Sequence, residues 1–595
     1  MILCAEKYKN HHILLHLSTM RKRIQIIQIA LLPIFLFLCS CHSGSSQQDI
    51  IPTDSTVIAS GKGLFNLYCA SCHNMQQNGI GPKLAGITKE VSVEWLRHFI
   101  LNPEQTIASG DERATQLFKE YKTMMPSFTT LKDNDVNALI AFINVQHSPG
   151  KKNKGNDEGL ADPIPERIKF SGLVVNIEEV TTFPPTSADG KKPLARITKL
   201  DFEPATGNLF INDLNGQLYK IKNGRPVLFM DIVKQKPKFI HQPGLATGLG
   251  SFAFHPNFAK NGRFYTTHTE PPRTIKADFG YNDSIKSTVQ WVVTEWKVKD
   301  PAADGFAGTS RELFRADMVD GIHGIQEITF NPLAKPGSED YGLLYIGAGD
   351  GGSVENGYPF LAADKDKIWG TILRIDPLGK NSANGKYGIP PANPLVQTPK
   401  NKTPGEIYAY GFRNPHRISW SADGKMLACN IGQHHIESVN LIAPGNNYGW
   451  PVREGRFVID LNGDINDVHP LPANDSVYKI TYPVAEFDHD EGVAVSGGLE
   501  YWGHEIPRLK GKYLFGDIPS GRLFYINTAD IKQGDRAPIE EWGIAINGTS
   551  TTLVEACGSK RVDLHFGRDA KGELYILTKA DGKLYKLTSA TQTTL

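Results

Sequence analysis

The sequence predicts a mainly β chain: a six-bladed β-propeller preceded by a small all-α domain. Two observations carry the propeller, a hairpin pattern that recurs six times after residue 166 and a turn-rich composition with Gly 57 and Pro 37. A third, a helical apolar period between Val136 and Val145, carries the small domain. The chain has 595 residues, which suggests two to four domains. Hydrophobic residues make up 40% and charged residues 21%, an ordinary globular balance. Lys+Arg number 64 against Asp+Glu 63, a formal net charge of +1 that argues against a nucleic-acid binder or a polybasic membrane-surface protein. Cysteines number 7, too few for a disulfide framework in a chain this long, so each is placed on its own.

Residues 1–41 read as addressing. Met20-Arg21-Lys22-Arg23 is basic, Ile24 to Leu38 is apolar, and Leu38-Cys39-Ser40-Cys41 brings small residues to a cleavage point, the pattern of a secretory signal. The apolar run is short for a membrane span of about 20 residues. Its last four residues resemble a bacterial lipobox, which implies that Cys41 is lipidated and becomes the mature N-terminus. Residues 1–19, with Cys4, lie upstream of the signal, and Cys39 leaves with it. Residues 42–59 open on His-Ser-Gly-Ser-Ser-Gln-Gln and form a polar tether. The expectation is an exported lipoprotein, periplasmic or at the cell surface, that meets the membrane through its lipid anchor only.

Residues 60–147 carry Cys69-Ala70-Ser71-Cys72-His73, the C-x-x-C-H attachment motif of c-type haem. Two thiols one helical turn apart add to the haem vinyl groups, and the adjacent imidazole ligates the iron. A zinc knuckle needs a second Cys/His pair, and none lies nearby; a redox dithiol is the other alternative. The surroundings resemble the class I cytochrome c family. Gly81-Pro82-Lys83-Leu84-Ala85-Gly86 matches the loop whose proline carbonyl orients the proximal imidazole. Met124-Met125-Pro126-Ser127-Phe128 matches the segment that carries the distal thioether; two methionines compete, and the pattern favours Met125. The resemblance implies covalent haem c with iron ligands His73 and Met125, a pair that gives a comparatively high potential suited to accepting electrons. Residues 148–165, polar and without apolar period, read as an interdomain linker.

Residues 166–590 hold the six hairpins, each an apolar-x-aromatic strand, a turn and a second apolar strand. Their aromatic anchors fall at Phe202, Phe254, Phe330, Trp420, Tyr501 and Phe566. Repeating hairpins at such spacing read as propeller blades with unequal loop insertions. Around them stand Gly321-Ile322-His323-Gly324, Gly347-Ala348-Gly349-Asp350-Gly351-Gly352, Tyr410-Gly411-Phe412-Arg413-Asn414-Pro415, Asn430-Ile431-Gly432-Gln433 and Asn447-Tyr448-Gly449-Trp450-Pro451. This ordered set resembles the glucose/sorbosone dehydrogenase family of soluble quinoprotein propellers, which use pyrroloquinoline quinone (PQQ) and calcium.

The resemblance implies that His323 is the general base, that Arg413 bonds the quinone oxygen, and that backbone carbonyls of Gly432 and Gln433 hold Ca²⁺. These types suit the roles: neutral imidazole removes a hydroxyl proton, guanidinium stabilises developing negative charge, and a hard cation takes oxygen ligands. One departure stands in Asp563-Leu564-His565-Phe566-Gly567-Arg568, where His565 occupies the place of an expected arginine. Arg561 and Arg568 are the candidates to bind the PQQ carboxylates in its stead. His434-His435 reads as loop, because adjacent residues rarely ligate one ion. Whether Cys429 and Cys557 pair is open. The expected function is oxidation of an aldose sugar or related polyol with PQQ, electrons leaving through the chain's own haem to a respiratory acceptor. The alternative, in the manner of hedgehog-interacting protein, is a non-enzymatic haem-tethered propeller that binds carbohydrate or protein.

Overall fold

A computed structural model of the chain describes residues 51–593 apart from 70–72, 74, 76–80, 122, 147–158, 188–189, 243, 283, 364, 398–402 and 462–463. The predicted signal and lipobox with Cys41, the first part of the tether, the attachment residue Cys72 and most of the linker lie outside the described residues. Among the described residues, no helix is long and apolar enough to cross a membrane.

The N-terminal region is helical. Helix α1 (Ser55–Tyr68) begins where Asp54 accepts from Thr56 N at 2.8 Å and Val57 N at 3.2 Å, which satisfies two otherwise orphan donors of the first turn. Helix α2 (Val93–Leu101) is capped the same way by Ser92. Helix α3 (Pro103–Ala108) opens on a proline, whose missing N–H costs nothing at that position. Helix α4 (Glu112–Tyr121) follows, and α5 (Asp133–Asn144) carries the predicted apolar stripe: Val136, Leu139, Ile140 and Ile143 are all buried. Helix α5 packs on α1, with the Phe65 and Phe142 rings 5.5 Å apart.

The remainder is β. Among the described residues its main strands pair into six four-stranded antiparallel units, and each predicted hairpin supplies the first two strands of one unit. The first strands are Ile197–Phe202, Leu249–Phe254, Glu327–Phe330, Asn414–Trp420, Val495–Glu500 and Leu564–Arg568. Each touches the next, and the last touches the first, so they form a closed ring around an axis. Apolar clusters fill the space between neighbouring units; Trp291 and Phe314 of the second, for example, pack with Ile346 and Leu373 of the third.

One element has no local signal in the sequence. The sixth unit is completed by Lys169–Thr182, the first strand of the region, which runs antiparallel to Lys583–Gln592 from Leu173 opposite Gln592 to Thr182 opposite Lys583. Pairing the two ends of the region closes the ring and removes the exposed edges an open array would leave. The ring axis has a cavity at each end. The entering ends of the six first strands line one, called here the central cavity, and their leaving ends line the other.

Candidate functional site

The central cavity, about 230 Å³, is lined by Ile322, His323 and Gln326 before and within the third unit, Arg413, Asn414 and His416 at the fourth, and Asp563 and His565 at the sixth. His323 is held there by close packing. A Cβ on Gly324 would come within 1.9 Å of Trp291 Nε1, so the loop lies against that ring only because residue 324 is glycine. His323 itself adopts φ +49 and Asp563 φ +53, conformations that cost non-glycine residues of order 1–3 kcal/mol and collect at functional sites.

His323 Nδ1 lies 3.0 Å from Asp350 Oδ1. Asp350 is fully buried and is fixed in turn by Gly352 N at 3.0 Å and by Trp450 Nε1, which donates to Oδ2 at 3.1 Å. With Nδ1–H donating to the carboxylate, Nε2 is left as the basic atom. Burial, with the Arg413 charge adding to it, pushes the His323 imidazole down to about 3, so it is neutral at pH 7. Burial pushes Asp350 up to about 6.

Arg413 is almost completely buried and sits in a cage of oxygens. Its Nη2 donates to Glu355 Oε1, its Nη1 to the Gly432 carbonyl, and its Nε to Gln433 Oε1 at 2.8 Å. The Gly432 carbonyl and the Gln433 side chain thus stand beside Arg413; the sequence expectation named the backbone carbonyl of Gln433, and here it is the side-chain oxygen that accepts from the guanidinium. Glu355 Oε2 is buried without a hydrogen-bond partner, and among the described residues His323, Asp350 and Glu355 are the group whose ligand atoms gather within 4.8 Å of one another. The loop after Gln433 is pinned by Glu454, whose Oε1 accepts from the backbone N–H of Gln433, His434, His435 and Ile436 at 2.7–3.0 Å. His434-His435 is loop, as expected.

The same cavity is also lined by basic side chains. His565 leaves both ring nitrogens buried and unpartnered, and His416 leaves Nδ1 so, its ring 5.8 Å from that of His565. Lys579 lines the same cavity, pushed down to about 8 by burial. Arg561 also reaches it. Arg568 does not. It lies at the leaving end of the strand that carries His565, stacked 3.5 Å from the centre of the Trp502 ring, and it lines the cavity at the opposite end of the axis. That placement removes Arg568 from the candidate ligands of the central site: three residues along a strand are about 10 Å. Cys429 and Cys557 carry free thiols, the first beside Tyr513 and the second at the end of a short helix, and they do not pair.

The helical region builds a second, apolar cavity. Cys69, His73 and Met125 line it with Leu84, Ile87, Leu96, Phe99 and Leu139. His73 Nδ1 lies 2.8 Å from the Pro82 carbonyl, the predicted orienting contact, which leaves Nε2 to face an iron. Met124 turns away and packs with Ile107 and Ala114. An apolar cavity lined by an oriented imidazole, a thioether and an attachment cysteine fits a haem.

Asp350 and Trp450 stand inside motifs read from the sequence but were given no role of their own, and Glu355, His416 and Lys579 stand outside those motifs. Asp350 had a usable signal: a lone carboxylate in a glycine-rich loop at a strand end is unlike a solvated turn.

Residues 194–586, about two thirds of the chain, match the family described as Glucose / Sorbosone dehydrogenase, and residues 58–146 match Cytochrome c. The HIPL2 protein of Arabidopsis thaliana is 29% identical over 322 residues, 47% of this chain and 43% of its own. Quinoprotein glucose dehydrogenase B of Acinetobacter calcoaceticus is 25% identical over 350 residues, 52% of this chain and 64% of its own. Cytochrome c-554(547) of Halothiobacillus neapolitanus is 38% identical over 93 residues, 14% of this chain and 91% of its own. The chain spans about half the length of the first two of the curated relatives it matches. With its ring of β units matched along most of its length and a cytochrome c domain ahead of it, the chain belongs to the Glucose / Sorbosone dehydrogenase family.

Proposed function

We propose that this chain oxidises an aldose sugar or related polyol at a hydroxyl-bearing carbon with PQQ and passes the electrons to its own c-type haem. One observation carries the reading: His323, Arg413 and the methionine segment of the cytochrome domain face the same cavity. PQQ bound there supplies a two-electron acceptor. The basic wall with its unpartnered nitrogens on His565 and His416 fits the carboxylates of such an acidic cofactor. Ca²⁺ is assigned to the oxygen donors around Gly432 and Gln433.

The work of the protein groups follows from their geometry. His323 accepts the substrate hydroxyl proton at Nε2 while Asp350 holds Nδ1–H and stabilises the imidazolium that forms. Arg413 places positive charge where negative charge develops in the cavity. Cys69 and Cys72 would attach a haem covalently, and His73 and Met125 would ligate its iron. A haem held there would supply a one-electron acceptor, so the two electrons of each substrate would leave one at a time. A one-electron respiratory acceptor would receive them. The signal and lipobox reading of residues 20–41 would place this chemistry outside the cytoplasm on a lipid anchor.

The second reading, a non-enzymatic binding propeller, rests on His565 standing where an arginine is expected. The test uses the full chain with haem loaded, PQQ and Ca²⁺ added, then a panel of aldoses, with the ferrous haem band followed. Haem reduction that requires sugar, PQQ and Ca²⁺ together supports the dehydrogenase. Intact haem, no reduction and no bound PQQ overturn it in favour of the binder.

A further inference from the structure

The haem cavity and the central cavity share a wall. Thr123, Met125, Pro126 and Arg561 line both. Three of these belong to the segment that carries the thioether; Arg561 comes from the other side, from the propeller loop that precedes Leu564–Arg568. Its Nη1 donates to the Met124 carbonyl at 3.4 Å, and its Nη2 pairs with Asp563 Oδ1 at 2.8 Å. One guanidinium therefore touches the backbone next to Met125 and a carboxylate on the wall of the central cavity. Two further contacts seat the helical domain on the propeller: Tyr68 Oη donates to Gln242 Oε1 at 2.9 Å, and Lys560 Nζ stands 4.8 Å from the centre of the Phe118 ring.

We propose that Arg561 couples the two cavities, as the positioning residue through which an acidic ligand in the propeller acts on the haem. The inference rests on the function proposed above. A cation beside the haem favours the iron state with one positive charge fewer, so Arg561 raises the haem potential. Arg561 lines the haem cavity whereas its partner Asp563 lines only the central one. An acidic ligand drawn to the basic wall competes with the Met124 carbonyl for the guanidinium and adds further negative charge beside it. Thr123, Met125, Pro126 and Arg561 line both cavities, so the change arises at a group that itself faces the haem cavity. Occupancy of the propeller is thereby written into the haem potential.

The experiment is a spectroelectrochemical titration of the full, haem-loaded chain with and without PQQ plus Ca²⁺, PQQ binding being measured separately by tryptophan fluorescence. In the wild type, PQQ lowers the haem midpoint potential. Arg561→Gln has a lower potential than the wild type before any PQQ is added and shows no further drop on binding it. Arg561→Lys, which keeps the charge, retains part of the drop, and Lys560→Ala, which removes only the neighbouring contact, retains all of it. The thioether-to-iron band in the far red checks that the haem ligands stay in place in every variant. An equal drop in Arg561→Gln with PQQ bound, or a ligand-free potential equal to the wild type's, overturns the coupling. Failure of the wild type to bind PQQ at all overturns the proposed function instead, and the ligand-free comparison still decides the role of Arg561.

Discussion

Asp350→Asn probes the catalytic assignment most directly, because the structure sets two energetic effects against each other. Asp350 Oδ1 faces His323 Nδ1 and accepts from Gly352 N, while Oδ2 accepts from Trp450 Nε1. Asparagine offers one accepting oxygen and one donating NH₂. With the oxygen toward His323, the NH₂ meets the indole N–H and leaves buried donors unpaired, at a cost of about 1–3 kcal/mol. With the amide reversed, NH₂ faces Nδ1, the ring proton moves to Nε2, and the base loses the lone pair it needs. Against these stands a relief. Burial holds Asp350 up at about 6, so its ionised form at pH 7 costs the fold roughly two units, or about 3 kcal/mol. The two effects on stability nearly cancel.

The expected outcome is therefore a melting temperature within a few degrees of the wild type and a rate of haem reduction by sugar lowered about 10²–10⁴-fold, the usual contribution of a positioned base. Stopped-flow haem reduction and a thermal melt on the same preparation measure both. The pH dependence gives an independent sign. The Asp350 pKa is raised in the fold, so the stability it contributes is complete below the unfolded value near 3.9 and is lost as pH rises through about 6. Activity needs the carboxylate ionised and rises over the same interval. Asp350→Asn flattens both curves. A variant that keeps its rate within threefold, or keeps the acid limb near pH 6, refutes the assignment.

His323→Ala should lower the rate of haem reduction by sugar while PQQ still binds, and an unchanged rate removes His323 as the base. Met125→Ala should drop the haem midpoint potential far more than Met124→Ala, because Met125 lines the haem cavity and Met124 packs with Ile107 and Ala114; equal drops would falsify the ligand choice. The Met124 variant should instead lose about 2–5 kcal/mol of stability, seen in its melt. Lys579 is charged only below about 8, so PQQ affinity should weaken as pH rises through that value, and Lys579→Gln should level the profile. A wild-type binding curve flat from pH 7 to 9 would remove Lys579 from the site.

The propeller was legible because each hairpin is local: an aromatic anchor, a turn and a second strand fall within a few residues, and the pattern repeats. Lys169–Thr182 was not, because its partner Lys583–Gln592 lies some 400 residues away and no turn announces the pairing. His73, Met125, His323 and Arg413 stand in short motifs whose neighbours fix their backbone, so residue order alone singled them out, and the structure places them on the two cavities. Arg568 shows where that kind of reading fails. It sits three positions from His565, adjacent in a list but at the other end of a strand in space. Lys579 shows the converse: it is far from Asp563 in sequence, yet Leu564 pairs with Thr578 and the Lys579 N–H reaches the Asp563 carbonyl at 3.3 Å. Register across a hairpin, not spacing along the chain, brings it to the cavity.

The choice of one end of the ring for the ligand proposed above rests on comparing the two cavities. They are similar in size, about 230 and about 210 Å³, and both are lined by charged side chains. At the far end the charges are settled: Lys199 pairs with Glu327 at 2.5 Å, and Arg417 donates to the Thr198 carbonyl at 2.7 Å. None of the side chains lining that end leaves a buried polar atom without a partner, and none of its non-glycine residues has positive φ. The central cavity concentrates the opposite features: His565, His416 and Thr123 with unpartnered buried atoms, and His323 and Asp563 in left-handed backbone. Each of these costs stability by itself, and all of them lie around one cavity. A ligand that bonds the orphaned nitrogens offsets much of that cost, and so the end of the ring that is least stable empty is the end built to be filled.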